Sequence, residues 1–178
     1  MEDSLSVDGW EFSVTEDGNG IIIIGFNDPV KELKIPQSMT VDGREYPVTE
    51  IFEEAFLERT DFETVIFPDT LKNIFSGSFA KCTALKNVRI PRNAILEENP
   101  FSGCTSLERF VVDEDNQNYS VIDGVLMSKD GTELVIYPPG KGSNYVIPAT
   151  VRKIADYAFD SSNISDITIG NNVVCIGS

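Results

Sequence analysis

The side chains with chemical potential in this sequence are three cysteines and a large surplus of carboxylates, with no histidine to accompany them. Without histidine there is no Ser-His or Cys-His nucleophile pair and no imidazole base, and most zinc sites are removed as well. Cys82 and Cys104 lie 22 residues apart, and Cys175 falls at a different spacing. If the chain stacks with that period, the first two thiols come about 5 Å apart, which a disulfide can bridge. The expectation is instead a ladder of small buried free thiols filling a turn.

The oxygen-rich stretches fail as metal loops on inspection. In Asp113-Glu-Asp115-Asn116-Gln117-Asn118 an EF-hand would need Gly at its sixth place and Glu at its twelfth, and those places hold Asn118 and Gly124. Thr15-x-Asp17-x-Asn19-Gly20 fails at its first and last ligands. Both read as solvated turns. Glu53-Glu54 and Glu97-Glu98 are paired acids, but glycosidase chemistry needs two carboxylates facing each other across a cleft. No Gly-rich loop feeds a long helix as a phosphate cradle would require. Asn118-Tyr-Ser120 and Asn163-Ile-Ser165 match a glycosylation sequon, which matters only in a eukaryotic secretory route. The expectation is a non-catalytic chain with no cofactor and no metal.

Charge narrows the partners. Lys and Arg total 14 against 29 Asp and Glu, a net charge of -15. Such a surface repels polyanions, so nucleic acid and anionic membrane are disfavoured. No apolar run approaches the roughly 20 residues that span a bilayer. The N-terminal stretch Met1-Glu2-Asp3-Ser4-Leu5 is acidic and lacks the basic and apolar regions of a signal peptide.

What must position these residues is a repeat. Phe56 and Phe79 are 23 residues apart, Phe79 and Phe101 are 22 apart, and each lies five residues after Ile51, Ile74 or Leu96. Ile154 and Phe159 repeat the phrase. A strand phrase recurs in phase as Phe62-x-x-Val65-x-Phe67-Pro68, Leu85-x-x-Val88-x-Ile90-Pro91, Leu107-x-x-Phe110-x-Val112 and Ile164-x-x-Ile167-x-Ile169. Val30-x-x-Leu33-x-Ile35-Pro36 is an earlier copy. The spacing is that of a leucine-rich-repeat strand. Residues two apart on a strand share a face, so Val65, Val88 and Phe110 point inward while Lys34, Ile66, Arg89, Val111 and Thr168 point out. The predicted fold is a leucine-rich-repeat solenoid, a right-handed superhelix that is mainly β. Its strands stack in parallel, with short helical or irregular return segments. Each coil is too small to hold a core alone and buries its apolar residues against its neighbours.

Two coils are interrupted. Residues 1–29 form no copy and are expected to be a β-hairpin cap, with Trp10–Thr15 and Ile21–Ile24 as its arms. The repeats then run over 30–178, with insertions near 37–48 and 113–147. The first insertion turns at Asp42-Gly43, and the second is a β-meander turning at Asp123-Gly124 and Asp130-Gly131. No comparable cap is expected at Asn171–Ser178.

The phrases Phe67-Pro68-Asp-Thr-Leu71-Lys-Asn-Ile74 and Ser78-Phe79-Ala-Lys-Cys82-Thr-Ala-Leu85 resemble the BspA-like leucine-rich repeats of bacterial cell-surface proteins. So does the segment from Asp123-Gly124-Val125-Leu126 through Lys129-Asp130-Gly131 to Tyr137-Pro138. The resemblance covers residues 9–178. It implies a secreted or surface-attached protein that adheres through protein contacts, with an extracellular host protein as the kind of partner. A cytoplasmic location is the alternative.

The outward face of the strands is the expected binding surface, formed by Thr64, Ile66, Asn87, Arg89, Arg109 and Val111. Its centre is the apolar-basic-apolar run Ile66, Arg89 and Val111, since arginine among apolar neighbours suits interface cores. Two other roles are open: a structural spacer, and a carbohydrate-binding module, against which the lack of Trp or Tyr at these positions argues. Met127, Tyr137 and Tyr145 in the meander are a rival contact surface.

Overall fold

The structure, a computed structural model, describes residues 4–178. Met1–Asp3 of the acidic N-terminal stretch lie outside the described residues. Three antiparallel strands open the fold: β1 (Leu5–Val7), β2 (Trp10–Val14) and β3 (Ile21–Phe26). The first coil holds β4 (Glu32–Lys34) and a hairpin of β5 (Ser38–Val41) and β6 (Arg44–Ile51). Then come β7 (Thr64–Ile66), β8 (Asn73–Ile74), β9 (Asn87–Ile90), β10 (Ile95–Leu96) and β11 (Arg109–Val112). A meander follows, formed by β12 (Tyr119–Ile122), β13 (Val125–Ser128) and β14 (Glu133–Ile136). The chain ends with β15 (Asn144–Val146), β16 (Lys153–Ile154), β17 (Asp166–Thr168) and β18 (Cys175–Ile176).

The coils stack in parallel, and one phase of the repeat holds throughout. β4, β7, β9 and β11 form a four-stranded sheet, and Leu33, Val65, Val88 and Phe110 turn into the core. Between those sheet strands and the return side runs a spine of aromatic rings. Phe56, Phe79 and Phe101 stack at centroid distances of 5.0 and 5.5 Å, close to the spacing of the coils themselves. Phe62 and Phe67 meet Phe79 edge-on at 6.4 and 5.6 Å. Edge and stacked contacts together let the rings fill the space without voids.

Cys82 and Cys104 are fully buried free thiols. Each donates to a carbonyl of the coil before it, Cys82 Sγ to Phe56 O and Cys104 Sγ to Phe79 O, both at 3.1 Å. The neighbouring Cys104 thiol, together with burial, raises the Cys82 pKa far above the ordinary thiol range. A thiol kept neutral in this way is a packing group and a weak nucleophile.

The return segments depart from expectation. Among the described residues they contain no helix; most of each is turn, as the irregular alternative expects, but two residues per coil form a strand. β6, β8 and β10 pair in parallel and join β3, so the return side is itself a sheet, seven-stranded with the N-terminal hairpin and β5 included. Two residues per coil suffice because Ile51, Ile74 and Leu96 are buried and aligned from coil to coil. The corners between the sheets are tight. Glu54, Glu58, Gly77, Lys81 and Gly103 all take positive φ there. At Gly103 a Cβ would stand 2.9 Å from Lys81 Cγ and 3.3 Å from its Cα, so glycine is needed for close approach as well as for conformation.

The meander also differs from expectation. Met127, Tyr137 and Tyr145 are not available for contact, because all three are buried in a second core with Val125, Leu134, Ile147, Val151 and Ile154. β14 pairs in parallel with β16 and β16 with β18, so the meander joins the last return strands in a separate five-stranded sheet. Tyr145 lies in β15, which pairs in parallel with β17 so that Tyr145 sits beside Ile167. Asn144–Val146 is therefore a coil strand, 22 residues ahead of its neighbour. The last inward positions are incompletely covered: Ile167 and Ile169 are exposed, and Ile176 is 60 % exposed.

An ion pair fastens the opening strands to the coils. Arg59 Nε donates to Asp61 Oδ1 at 2.7 Å and its Nη2 to Asp61 Oδ2 at 2.8 Å. The same guanidinium donates to the carbonyls of Phe26 and Asp28, while Asp61 accepts the Val30 N–H at 2.8 Å. The guanidinium beside it holds the Asp61 carboxyl well below the usual carboxylate range, with the Val30 N–H adding to the effect.

Candidate functional site

The six residues predicted as a surface lie together on the four-stranded sheet. Register sets them in two rows across the coils. Thr64 pairs with Asn87 and Asn87 with Arg109, and Arg109 Nε donates to Asn87 Oδ1 at 2.9 Å. Lys34 pairs with Ile66, and Arg89 with Val111. Ile66 and Val111 are 39 % and 38 % exposed and stand on either side of the exposed Arg89. Alternation along each strand sends these side chains outward, because the residues between them are locked in the core. The face is shallowly concave, with a groove of about 320 Å³ bounded by Ile66, Phe67, Arg89 and Val111.

The ion pairs on this face and at the neighbouring corners follow the coil period. Arg89 Nη2 pairs with Asp113 of the next coil, and Arg92 Nη1 with Asp115 at 3.0 Å. Lys86 Nζ meets Glu63 Oε2 at 2.6 Å and Lys81 Nζ meets Glu58 Oε1 at 2.7 Å, each 23 residues apart. The lysine partners lower the carboxyl pKa values of Glu63 and Glu58. Pairs this exposed contribute little to stability. They neutralise Arg89 and Arg92, while Arg109 is held by the Asn87 amide, so the face offers hydrogen-bonding groups and apolar carbon around its cations.

The oxygen-rich stretches are turns held by their own bonds. Asn116 is buried; its Oδ1 accepts from the N–H groups of Asn118 and Tyr119, and its Nδ2 donates to Pro91 O at 3.0 Å. Asp17 Oδ1 accepts from Thr15 Oγ1 at 2.6 Å and from the Asn19 N–H at 3.0 Å. Among the described residues no cluster of His, Cys, Asp or Glu has the geometry to hold a metal ion. Among the described residues there is no helix long and apolar enough to cross a membrane.

A family description, "BspA type Leucine rich repeat region", matches six copies over residues 27–123 and 141–178. The chain belongs to this family. The break in the match falls on the meander, and its resumption at residue 141 agrees with the coil position of β15. No curated protein matches the sequence significantly. Solved structures share the fold at low identity. A leucine-rich repeat protein from Bacteroides ovatus superposes with a TM-score of 0.61 at 17 % identity over 97 % of this chain and 55 % of its own. The T. pallidum leucine-rich repeat protein gives 0.55 at 18 % identity, over 98 % and 86 %. The pneumococcal vaccine antigen PcpA gives 0.54 at 20 % identity, over 99 % of this chain and 66 % of that antigen. The chain thus spans just over half of the B. ovatus protein and about two thirds of PcpA. At these identities the likeness shows the fold alone. A leucine-rich-repeat fold is of protein-interaction type.

Residues that sequence reasoning missed lie on the other sheet. Ile22, Ile24, Phe52 and Phe75 are half-buried on its outer face, in a groove of about 920 Å³. Phe52 and Phe75 each directly follow a buried isoleucine of the return strands, and that spacing of 23 was the available signal. It is unreadable without knowing that the return is a strand.

Proposed function

We propose that the protein is a non-catalytic protein-interaction module that binds its partner through the four-stranded sheet. The observation that carries this reading is the pair of registered rows Thr64–Asn87–Arg109 and Ile66–Arg89–Val111 on a face whose backbone is fixed by the core. A rigid face orders few side chains on binding, so little entropy opposes association. The setting is a bacterial cell surface or secreted, adhesin-like protein with an extracellular host protein as partner. Support for that setting comes from the family alone. The test is capture from host extracellular proteins, followed by affinity measurement with a triple variant, Ile66→Ser, Arg89→Glu and Val111→Ser. Binding weakens at least about tenfold, roughly 1.4 kcal/mol, while the fold survives. Unchanged affinity overturns the sheet as the site.

A structural spacer is the second reading. The cross-coil pairs Arg89–Asp113 and Arg92–Asp115 favour it, since they spend the charges of the face on its own neighbours. Under that reading no captured partner responds to the triple variant.

A further inference from the structure

The groove on the outer face of the return sheet has a chemistry opposite to that of the Arg89 face. Its floor is apolar: Ile22 and Ile24 of β3, with Phe52 and Phe75 at the ends of β6 and β8. These side chains are half-buried, so their remaining apolar area faces the groove and no other element of the described chain covers it. Carboxylates of Glu16, Asp17 and Glu50 border it, and no Lys or Arg is among the residues that line it. Lys72 is outside the lining, and its field reaches Asp17. Glu50 is committed only to a long contact with Asn73 Nδ2 at 3.4 Å. The sheet continues beneath the groove: Ile22 sits beside Glu50 in register and Glu50 beside Asn73, with the register shifting between Ile21 and Ile22.

We infer that this groove is a docking site for an extended segment of a partner protein rich in Lys or Arg interspersed with aliphatic residues. Charge complementarity decides the occupant. Long basic side chains lay their aliphatic stems on apolar surface and carry their charged heads to the border, where the carboxylates stand. A second copy of this chain carries the same net charge of -15 and would bring further acids to an acidic border. The site is distinct from the Arg89 face and does not depend on it.

The probe is a short fluorescent peptide of alternating Lys and Val, titrated into the full chain and followed by anisotropy and by amide chemical shifts. The peptide shifts the resonances of Ile22, Ile24, Phe52 and Phe75. Glu16→Lys combined with Glu50→Lys weakens it at least about tenfold, whereas Glu108→Lys with Glu114→Lys, an equal change of charge on the other side, weakens it by less than about twofold. A Lys-Gly peptide binds at least about tenfold more weakly than Lys-Val. Equal loss in the two charge variants, or equal binding of the two peptides, overturns the inference in favour of diffuse attraction. Shifts centred on Ile66, Arg89 and Val111 move the peptide to the other sheet and overturn it too. So does a concentration-dependent dimer that shifts the groove resonances with no peptide present. The triple variant of the Arg89 face leaves Lys-Val binding unchanged, which separates failure of this site from failure of the other.

Discussion

The sheet that carries Arg89 and the sheet that carries Phe52 and Phe75 are made by the same coils and share one core, yet they present different surfaces. On the first, β4 pairs with β7 over three residues and β9 with β11 over four, and Lys86 and Arg89 are matched to acids one coil away. On the second, each repeat coil adds as few as two residues, and the residue just after β6 and β8 is a half-buried aromatic. The first sheet presents polar and apolar groups with several of its cations in ion pairs. The second is apolar at its centre and acidic at its border. One repeat can therefore build two unlike faces, because alternation fixes only the inward residues and leaves each outward set free to differ.

The widest effect should come from the spine that joins the two. Phe79 is fully buried and stacks on both Phe56 and Phe101. Phe79→Ala should cost about 3–5 kcal/mol in urea unfolding. It should loosen both sheets in one transition, as judged by amide exchange at Val88 and Ile74. Loss of protection in one sheet alone would show that the faces are independently held.

A smaller effect belongs to the clamp at the N-terminal end of the return sheet. The Asp61 carboxyl is held ionised by Arg59, so its folded pKa lies below its unfolded value. The stability it contributes is present above about pH 4, the unfolded value, and is lost as pH falls through the folded one. Asp61→Asn should therefore be less stable at pH 7 by about 1–2 kcal/mol, the range for a charge-assisted bond in a partly exposed site. The gap should close toward pH 2. Parallel acid curves for the two proteins would show that Asp61 titrates as an ordinary surface carboxyl.

The smallest effect should be on the Arg89 face. Arg89 is exposed, and its pair with Asp113 is a surface pair. Arg89→Ala should change stability by less than about 0.5 kcal/mol in the same urea experiment. A cost near that of Phe79→Ala would mean that the strand phase is misassigned and that the first sheet is part of the core.

Periodicity alone determined the coil, the strand phase and the inward set. Val65, Val88 and Phe110 alternate with Ile66, Arg89 and Val111, and a period of two residues leaves no other face for either group. It also placed the six residues of the Arg89 face side by side, since equal spacing in the chain becomes adjacency in the stack. Tertiary structure decided the rest. A two-residue strand has no pattern of its own, so Asn73–Ile74 and Ile95–Leu96 become a sheet only when neighbouring coils supply their hydrogen bonds. Met127, Tyr137 and Tyr145 look like contact residues in the sequence, but they are core because the meander folds back into the stack. Their burial depends on partners such as Val151 and Ile154, far along the chain, and no local spacing encodes such contacts. Arg59 likewise gives no sign in the sequence of reaching back to Phe26 and Asp28, because that meeting exists only once the first coil closes on the opening strands.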